Sequence, residues 1–322
     1  MKKTLAIICA LALCLALCAC GSSAPASTAK SEVYNVGICQ LVQHDALDAA
    51  TKGFMDALTE KLGDKVVFSE QNASGDSATC AVICNQFVSD EVDLIMANAT
   101  PAVLAAQSAT GSIPILGTSD TDYGSALGIA EWTGTTGTNI SGTSDLAPLD
   151  GQAQMIKELF PDAKTVGILY CSSEPNSKYQ ATVITAELQA LGYTVAEFTF
   201  SDSNDVANVT ATACGESDVI YIPTDNTAAS CTEAINNVAL PAGTPIVAGE
   251  EGICAGCGVA TLSISYYDLG YATGLQAYKV LVEGTDVSTM PIEFAPQFTK
   301  KFNATNCDAL GVTAPADYVA IG

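Results

Sequence analysis

A few residues in this 322-residue chain have the type and spacing for chemistry. Cys254-Ala255-Gly256-Cys257 has the CxxC spacing of redox sites and of half a zinc site. A zinc site needs four ligands, and no second pair or neighbouring histidine accompanies this one. A thioredoxin-like pair needs a stabilised thiolate, and the preceding Glu250-Glu251 raises a thiol pKa rather than lowering it. A local disulfide or two packed thiols is therefore expected, with a CxxC-based redox or metal-binding surface protein as the alternative. His44 is the only histidine. A catalytic imidazole works with a nucleophile and an orienting group, yet neither GxSxG nor HExxH occurs. Pocket lining or structural hydrogen bonding is expected of His44, and no enzyme activity.

The other chemistry-bearing residues fall in short polar clusters, and each cluster follows an apolar, β-branched run. Runs at 33–39, 66–68, 94–97 and 113–116 read as buried strands, with helical patterns between them at 47–62, 78–88 and 102–109. The first helix carries Leu47, Ala50, Phe54, Ala57 and Leu58 on one stripe. A second series repeats the plan, with strands at 166–170, 194–200, 219–222 and 246–248 and helices at 179–191, 206–214 and 228–238. A further strand at 260–264 leads into a helix at 269–282, and a strand at 292–294 follows. Strands alternating with helices imply parallel sheets with right-handed crossovers. The fold class is α/β, two Rossmann-like lobes. Neither GxGxxG nor GxxxxGK[ST] is present, so nucleotide binding lacks support.

In open parallel sheets, ligands bind beyond the carboxyl ends of the strands. Those positions hold Gln40 and His44-Asp45, then Asn98-Ala99-Thr100-Pro101, then Thr118-Ser119-Asp120 in the first lobe. In the second they hold Ser172-Ser173-Glu174-Pro175-Asn176-Ser177, Thr224-Asp225-Asn226-Thr227 and Glu250-Glu251. Helix capping explains many of these residues singly, Thr100-Pro101 above all. A capped helix N-terminus is also an anion site, so both roles coexist.

Charge narrows the partners. The chain has 12 Lys+Arg against 35 Asp+Glu, and no arginine. A phosphate backbone would be repelled, which excludes nucleic acid. A ligand carboxylate must then be held by amides, hydroxyls or a lysine rather than a bidentate guanidinium. Of 13 cysteines, four (Cys9, Cys14, Cys18, Cys20) lie in the N-terminal segment. The odd remainder argues against a complete disulfide framework, so small-hydrophobe packing is expected for them. Lys2-Lys3 followed by an apolar run to Ala16 is the pattern of a secretory signal. Leu17-Cys18-Ala19-Cys20 resembles a lipobox ending at a lipid-modified Cys20; a plain signal peptide or an uncleaved anchor is the alternative. The run is short of the about 20 apolar residues of a membrane span. Residues 1–20 read as a lipoprotein signal and 21–32 as a flexible tether.

Val36-Gly37-Ile38 with His44, Ala99-Thr100-Pro101, Ser172 to Ser177, Tyr221-Ile222-Pro223-Thr224-Asp225-Asn226-Thr227, Glu250-Glu251-Gly252 and Tyr266-Tyr267-Asp268-Leu269-Gly270 resemble the ABC transporter substrate-binding family that includes the tryptophan/tyrosine-binding lipoproteins. The resemblance covers nearly all of the chain after the tether. It departs at Ile253 to Cys257, where a non-cysteine loop is the expectation. It implies a type I periplasmic-binding fold with crossings near 143–148, 263–266 and 285–292. Lobe 1 would then be 33–145 plus 266–285, and lobe 2 would be 146–265 plus 286–322. It further implies an extracytoplasmic monomer, lipid-anchored at the outer face of the cell membrane, that serves a separately encoded permease and ATPase without cofactor or metal. The expected ligand is an amino acid, aromatic favoured, with a branched-chain amino acid or another small metabolite as the alternative. For its carboxylate the expected partners are Thr100, Thr118, Ser119, Ser173 and Asn176, and for its ammonium Asp225 first and Glu250 second. Asn226 and Thr227 would fix the second lobe; Gln40, Asp120 and Glu174 complete the expected site. Tyr123, Trp132, Tyr170, Tyr179 and Tyr266 are candidate walls.

Overall fold

The computed structural model describes residues 33–321; the segment expected to be a secretory signal, Cys20 and the whole of the expected tether lie outside them. Short β-branched runs become strands because, with helices on both faces, the central strands of each sheet bury nearly every side chain, while edge strands such as those at 66–72 and 194–200 stay largely exposed. In the first lobe these are β1 (Tyr34–Gln40), β2 (Val66–Asn72), β3 (Leu94–Asn98), β4 (Ile115–Asp120) and β5 (Ile140–Ser144). The helices between them are α1 (Asp45–Leu62), α2 (Ser77–Ser89), α3 (Thr100–Ala109) and the short α4 (Tyr123–Ala126). The predicted stripe Leu47, Ala50, Phe54, Ala57, Leu58 is the buried face of α1. Strand β5 was not anticipated. Its sequence, Ile-Ser-Gly-Thr-Ser, has no hydrophobic alternation, yet it is wholly buried. It fits because Gly142 lets it pass close to β4, where a Cβ would lie 2.0 Å from the Gly117 carbonyl oxygen.

The second lobe repeats the plan with α5 (Leu149–Leu159), β6 (Thr165–Cys171), α6 (Pro175–Ala190), β7 (Thr194–Phe200), α7 (Val206–Glu216) and β8 (Val219–Ile222). The single helix expected at 228–238 is two, α8 (Asn226–Ser230) and α9 (Thr232–Ala242). Then come β9 (Ile246–Ala248), α10 (Glu251–Cys257), β10 (Ala260–Ser263), α11 (Tyr266–Leu281), β11 (Glu293–Phe294), β12 (Thr299–Phe302), α12 (Ala304–Leu310) and β13 (Val319–Ala320). The sheet orders are β11-β5-β4-β3-β1-β2 and β13-β12-β10-β9-β8-β6-β7. All pairings are parallel except β10 with β12. The fold is the expected pair of α/β lobes.

One boundary moves. Residues 286–295 were expected with lobe 2, but β11 pairs with β5 in the first sheet. Val287, Met290 and Ile292 are buried, and Ser141 Oγ donates to the Met290 carbonyl at 3.0 Å. Burial of those three apolar side chains holds the segment on lobe 1, so the chain leaves for lobe 2 only after β11. The crossings are thus the stretches after β5, after β10 and after β11.

Helix α11 follows a lobe-2 strand but packs on α1 of lobe 1. The two backbones nearly touch: a Cβ on Gly270 would sit 1.9 Å from the Ala50 carbonyl oxygen, and one on Gly53 would sit 2.1 Å from that of Tyr267. No rotamer change relieves a clash with backbone. Gly270→Ala should force the helices apart and cost about 1–3 kcal/mol, as overpacking does. A fall of roughly 3–10 °C in the thermal unfolding midpoint is expected; an unchanged midpoint would refute the contact.

Candidate ligand-binding site

Thr100, Ser119 and Asp120 converge at the carboxyl ends of β3 and β4. Ala99 precedes α3 with φ 85° and ψ 153°, and Ser119 has φ 54°. Non-glycine residues in this region store strain, which collects at functional sites. Asp120 is fully buried. One carboxylate oxygen accepts from Thr100 Oγ1 at 2.9 Å; the other has no partner, nor has Ser119 Oγ. Burial, with smaller contributions from the Asp145 and Asp122 charges, pushes the Asp120 pKa up to about 7. Two predicted residues lie deeper. Thr118 Oγ1 meets Thr143 Oγ1 at 3.1 Å, and that hydroxyl meets Thr273 Oγ1 at 2.8 Å. Gln40 accepts from Thr51 and donates to Asp48. Both are engaged within lobe 1.

Across the cleft, Glu174 organises lobe 2. Its Oε1 accepts from Thr227 N at 2.8 Å and Thr227 Oγ1 at 2.7 Å. Its Oε2 accepts from Asn226 N, Asn226 Nδ2 and Asn176 Nδ2 at 3.0, 2.7 and 3.1 Å. Asp225 is equally committed: it accepts from Cys171 N and Ser177 Oγ on one oxygen and from Ala228 N on the other, all at 2.7 Å. Glu250 caps α10 by accepting from Gly252 N and Ile253 N. Thus Asp225 and Glu250, expected to face a ligand ammonium, hold backbone and hydroxyl donors of their own lobe. Ser173 is exposed and contacts Cys171 Sγ and the Ser201 carbonyl. Asn176 differs, because its Oδ1 is buried without a partner. A cavity between the lobes is lined by Thr100, Leu104, Asp120 and Asp122 on one side and by Asn176 and Tyr179 on the other. The structure therefore brings together Thr100, Asp120 and Asn176, with Ser119 adjoining. Leu104 and Asp122 were missed, since neither stands directly after a strand.

Among the described residues, two of the hydrogen bonds across the cleft bear on its closure. His44 Nε2 lies 3.3 Å from Asn226 Oδ1. Glu174 fixes that amide by accepting from its Nδ2, so the Oδ1 faces the ring and His44 must donate from Nε2. Burial lowers the His44 pKa, consistent with a neutral ring. The second bond starts from Gln180 on α6, whose Nε2 reaches Thr121 Oγ1 at 3.2 Å. Thr121 donates to Asp145 at 3.1 Å, and Tyr266 OH donates to the other Asp145 oxygen at 2.9 Å. Asp145 and Tyr266 border two of the crossings, so this chain of bonds links cleft and hinge. Trp132 is partly exposed and packs beside Gly124; Tyr123 is buried core.

Cys254 and Cys257 are free thiols, as are the other seven described cysteines. They lie within α10, not ahead of it, and Cys257 Sγ donates to the Ile253 carbonyl. Burial raises both thiol pKa values, the reverse of an activated pair. Among the described residues no group of three or more His, Cys, Asp or Glu side chains is placed to hold a metal ion.

The carboxyl groups give the closed arrangement a defined pH response, which ligand-free protein shares as far as it closes. Burial raises Asp120 to about 7, Asp145 to about 6, Asp225 to about 8 and Glu250 to about 7. The folded chain therefore binds protons that the unfolded chain has released, and stability falls as pH rises. The contribution is full below the ordinary carboxyl range and is lost between about pH 4 and pH 8. Thermal unfolding without ligand should show a higher midpoint at pH 5 than at pH 8; the opposite order would contradict this burial.

Residues 35–320 match the family model of the ABC transporter substrate binding protein. This chain belongs to that family. A curated relative from Clostridioides difficile (strain R20291), named tyrosine-binding protein, is 40% identical over 261 residues, which is 80% of this chain and 75% of the relative. A solved structure from Streptococcus pneumoniae, an ABC domain in complex with L-Trp, is 31% identical with a TM-score of 0.84, over 88% of this chain and 96% of that one. The ligand-free, open structure of a Clostridium difficile substrate-binding protein with adhesive properties is 36% identical with a TM-score of 0.69, over 90% and 99%. The substrate-binding chain described here thus superposes better on the ligand complex than on the open form, although its sequence is closer to the latter. The two cleft-crossing hydrogen bonds agree with a closed arrangement.

Proposed function

We propose that this substrate-binding protein captures a zwitterionic amino acid between its lobes, with an aromatic side chain favoured. One observation carries the reading: a buried carboxylate oxygen of Asp120 and the buried Asn176 Oδ1 both lack a partner, and both residues line the cavity between the lobes. Buried polar atoms are normally satisfied, and two acceptor oxygens on residues lining one cavity ask for a donor such as an ammonium group. The N-terminal turn of α6, opened by Pro175, offers the Asn176 and Ser177 amides to the ligand carboxylate, with Thr100 at the start of α3 beside them. Leu104 and Tyr179 offer apolar and aromatic surface to the side chain. The named ligands of the tyrosine-binding relative and the L-Trp complex support the aromatic preference. Asn226 and Thr227 position lobe 2 through Glu174. Gln40, Thr118, Asp225 and Glu250 support the rims rather than touch the ligand, and Ser173 lies at the outer lip.

In this reading the protein acts outside the cytoplasm as a monomer without catalysis, held at the membrane by a lipid on Cys20, and delivers to a separate permease and ATPase. Among the described residues no helix is long and apolar enough to cross a membrane. A thermal-shift screen over the twenty amino acids, followed by calorimetry, tests the ligand. At a ligand concentration 100 times Kd the gain is about 2.7 kcal/mol, readily seen. Tyrosine, tryptophan or phenylalanine should give the largest shift. Silence from all twenty, with a shift from a sugar or nucleoside instead, would discard the amino-acid reading.

A further inference from the structure

Strands β4 and β5 end side by side, β4 at the buried Asp120 and β5 just before the buried Asp145. Asp145 N donates to the Asp120 carbonyl at 3.2 Å, and the side chains are 0% and 5% exposed. Neither takes part in a salt bridge among the described residues. The other titratable groups acting on them are Asp122, Tyr123 and Tyr266, none of them cationic. Asp145 is satisfied by two hydroxyls, whereas Asp120 keeps an empty oxygen. Lobe 2 lies over that oxygen, with Asn176 and Tyr179 facing Asp120 across the shared cavity. Closure therefore strips water from the Asp120 charge beside the like charge of Asp145, with no counter-ion for either, which is unfavourable unless a charge partner arrives.

We propose that Asp120 and Asp145 together hold the ligand-free clamp open, and that a ligand ammonium permits closure by neutralising them. Gln180, Thr121 and Tyr266 then fasten the closed form through the Asp145 carboxylate. The opening role is a property of the protein alone; only the second half rests on the ammonium reading above. The open state of the ligand-free Clostridium difficile relative is in keeping with it.

Small-angle scattering at pH 8 on the whole exported domain tests the gate. Wild-type protein should show a larger radius of gyration without ligand than with saturating tryptophan or tyrosine. Asp120→Asn keeps the shape and removes the charge; without ligand it should compact toward the liganded value while binding weakens at least 100-fold. Asp145→Asn should also compact, yet keep affinity within about tenfold. Tyr266→Phe loses only the hydroxyl that fastens Asp145 and should stay open, with ligand dissociation several-fold faster. If both asparagine variants keep the open wild-type profile, or if ligand-free wild type is already compact, the gate is overturned. If Asp120→Asn compacts but binds with wild-type affinity, the gate stands and the ammonium assignment fails. Two separate asparagine variants keep the test decisive should one fold poorly.

Discussion

Asp120→Ala is expected to abolish useful ligand binding. Removing the carboxylate leaves the ligand ammonium buried without its partner, and breaking such a pair costs about 3–5 kcal/mol. That corresponds to roughly a 10²- to 10⁴-fold rise in Kd, and isothermal calorimetry with the best amino acid would read it. Folding should survive, because in the ligand-free state Asp120 makes one side-chain hydrogen bond, from Thr100 Oγ1. The same residue sets the pH dependence of affinity. Burial lifts its pKa to about 7, so below that pH the ammonium must displace a proton. Affinity should fall as the solution is acidified from pH 8 to pH 5, by up to about tenfold per unit below the pKa. Ligand-free stability moves the other way over this range. Wild-type affinity in Asp120→Ala, or affinity flat with pH, would move the ammonium elsewhere.

Glu174→Ala should be the most damaging single change to lobe 2. Its carboxylate accepts five hydrogen bonds, from two backbone amides, two side-chain amides and a hydroxyl. Removing it leaves buried donors at the start of α8 and on Asn176 unpaired, at about 1–3 kcal/mol each before relaxation. A net loss of roughly 3–5 kcal/mol is expected in urea unfolding. Binding should weaken as well, because Asn176 and Asn226 lose their orientation. Glu174→Gln keeps an acceptor oxygen and should recover part of the stability. An alanine variant as stable as wild type would show that these bonds are absent in solution.

Much of the scaffold was legible along the chain. The lobe-1 strands β1, β3 and β4 and helices α1 to α3 follow their hydrophobic periods, because each is decided by burial of neighbours within a few residues. The helix after β10 was legible too, although it begins at Tyr266, a turn earlier than its apolar stripe. What escaped has a common cause. Strand β5 is polar because Thr143 pairs with Thr118 and Thr273 while Ser141 and Ser144 donate to backbone carbonyls inside the lobe. Segment 286–295 returned to lobe 1 because its three apolar side chains find a surface more than a hundred residues upstream. Neither partner is visible locally.

The candidate site divides the same way. Reading the ends of strands identified the polar tips, and the absence of arginine pointed to helix amides and hydroxyls for any ligand carboxylate. Asp120, Glu174, Asp225 and Glu250 look alike in that reading, each an acidic residue beyond a strand. Their fates differ through contacts between segments some 50 residues apart: the donors that occupy Glu174 come chiefly from Asn226 and Thr227, and Cys171 reaches Asp225. The sequence by itself determined two α/β lobes with acidic, hydroxyl-rich tips that converge on a cleft, because strand and helix periods and loop chemistry are local properties. Only the tertiary structure decided which carboxylate is left free, because donors some 50 residues away occupy Glu174 and Asp225, Glu250 caps its own helix, and Asp120 is left with an open oxygen.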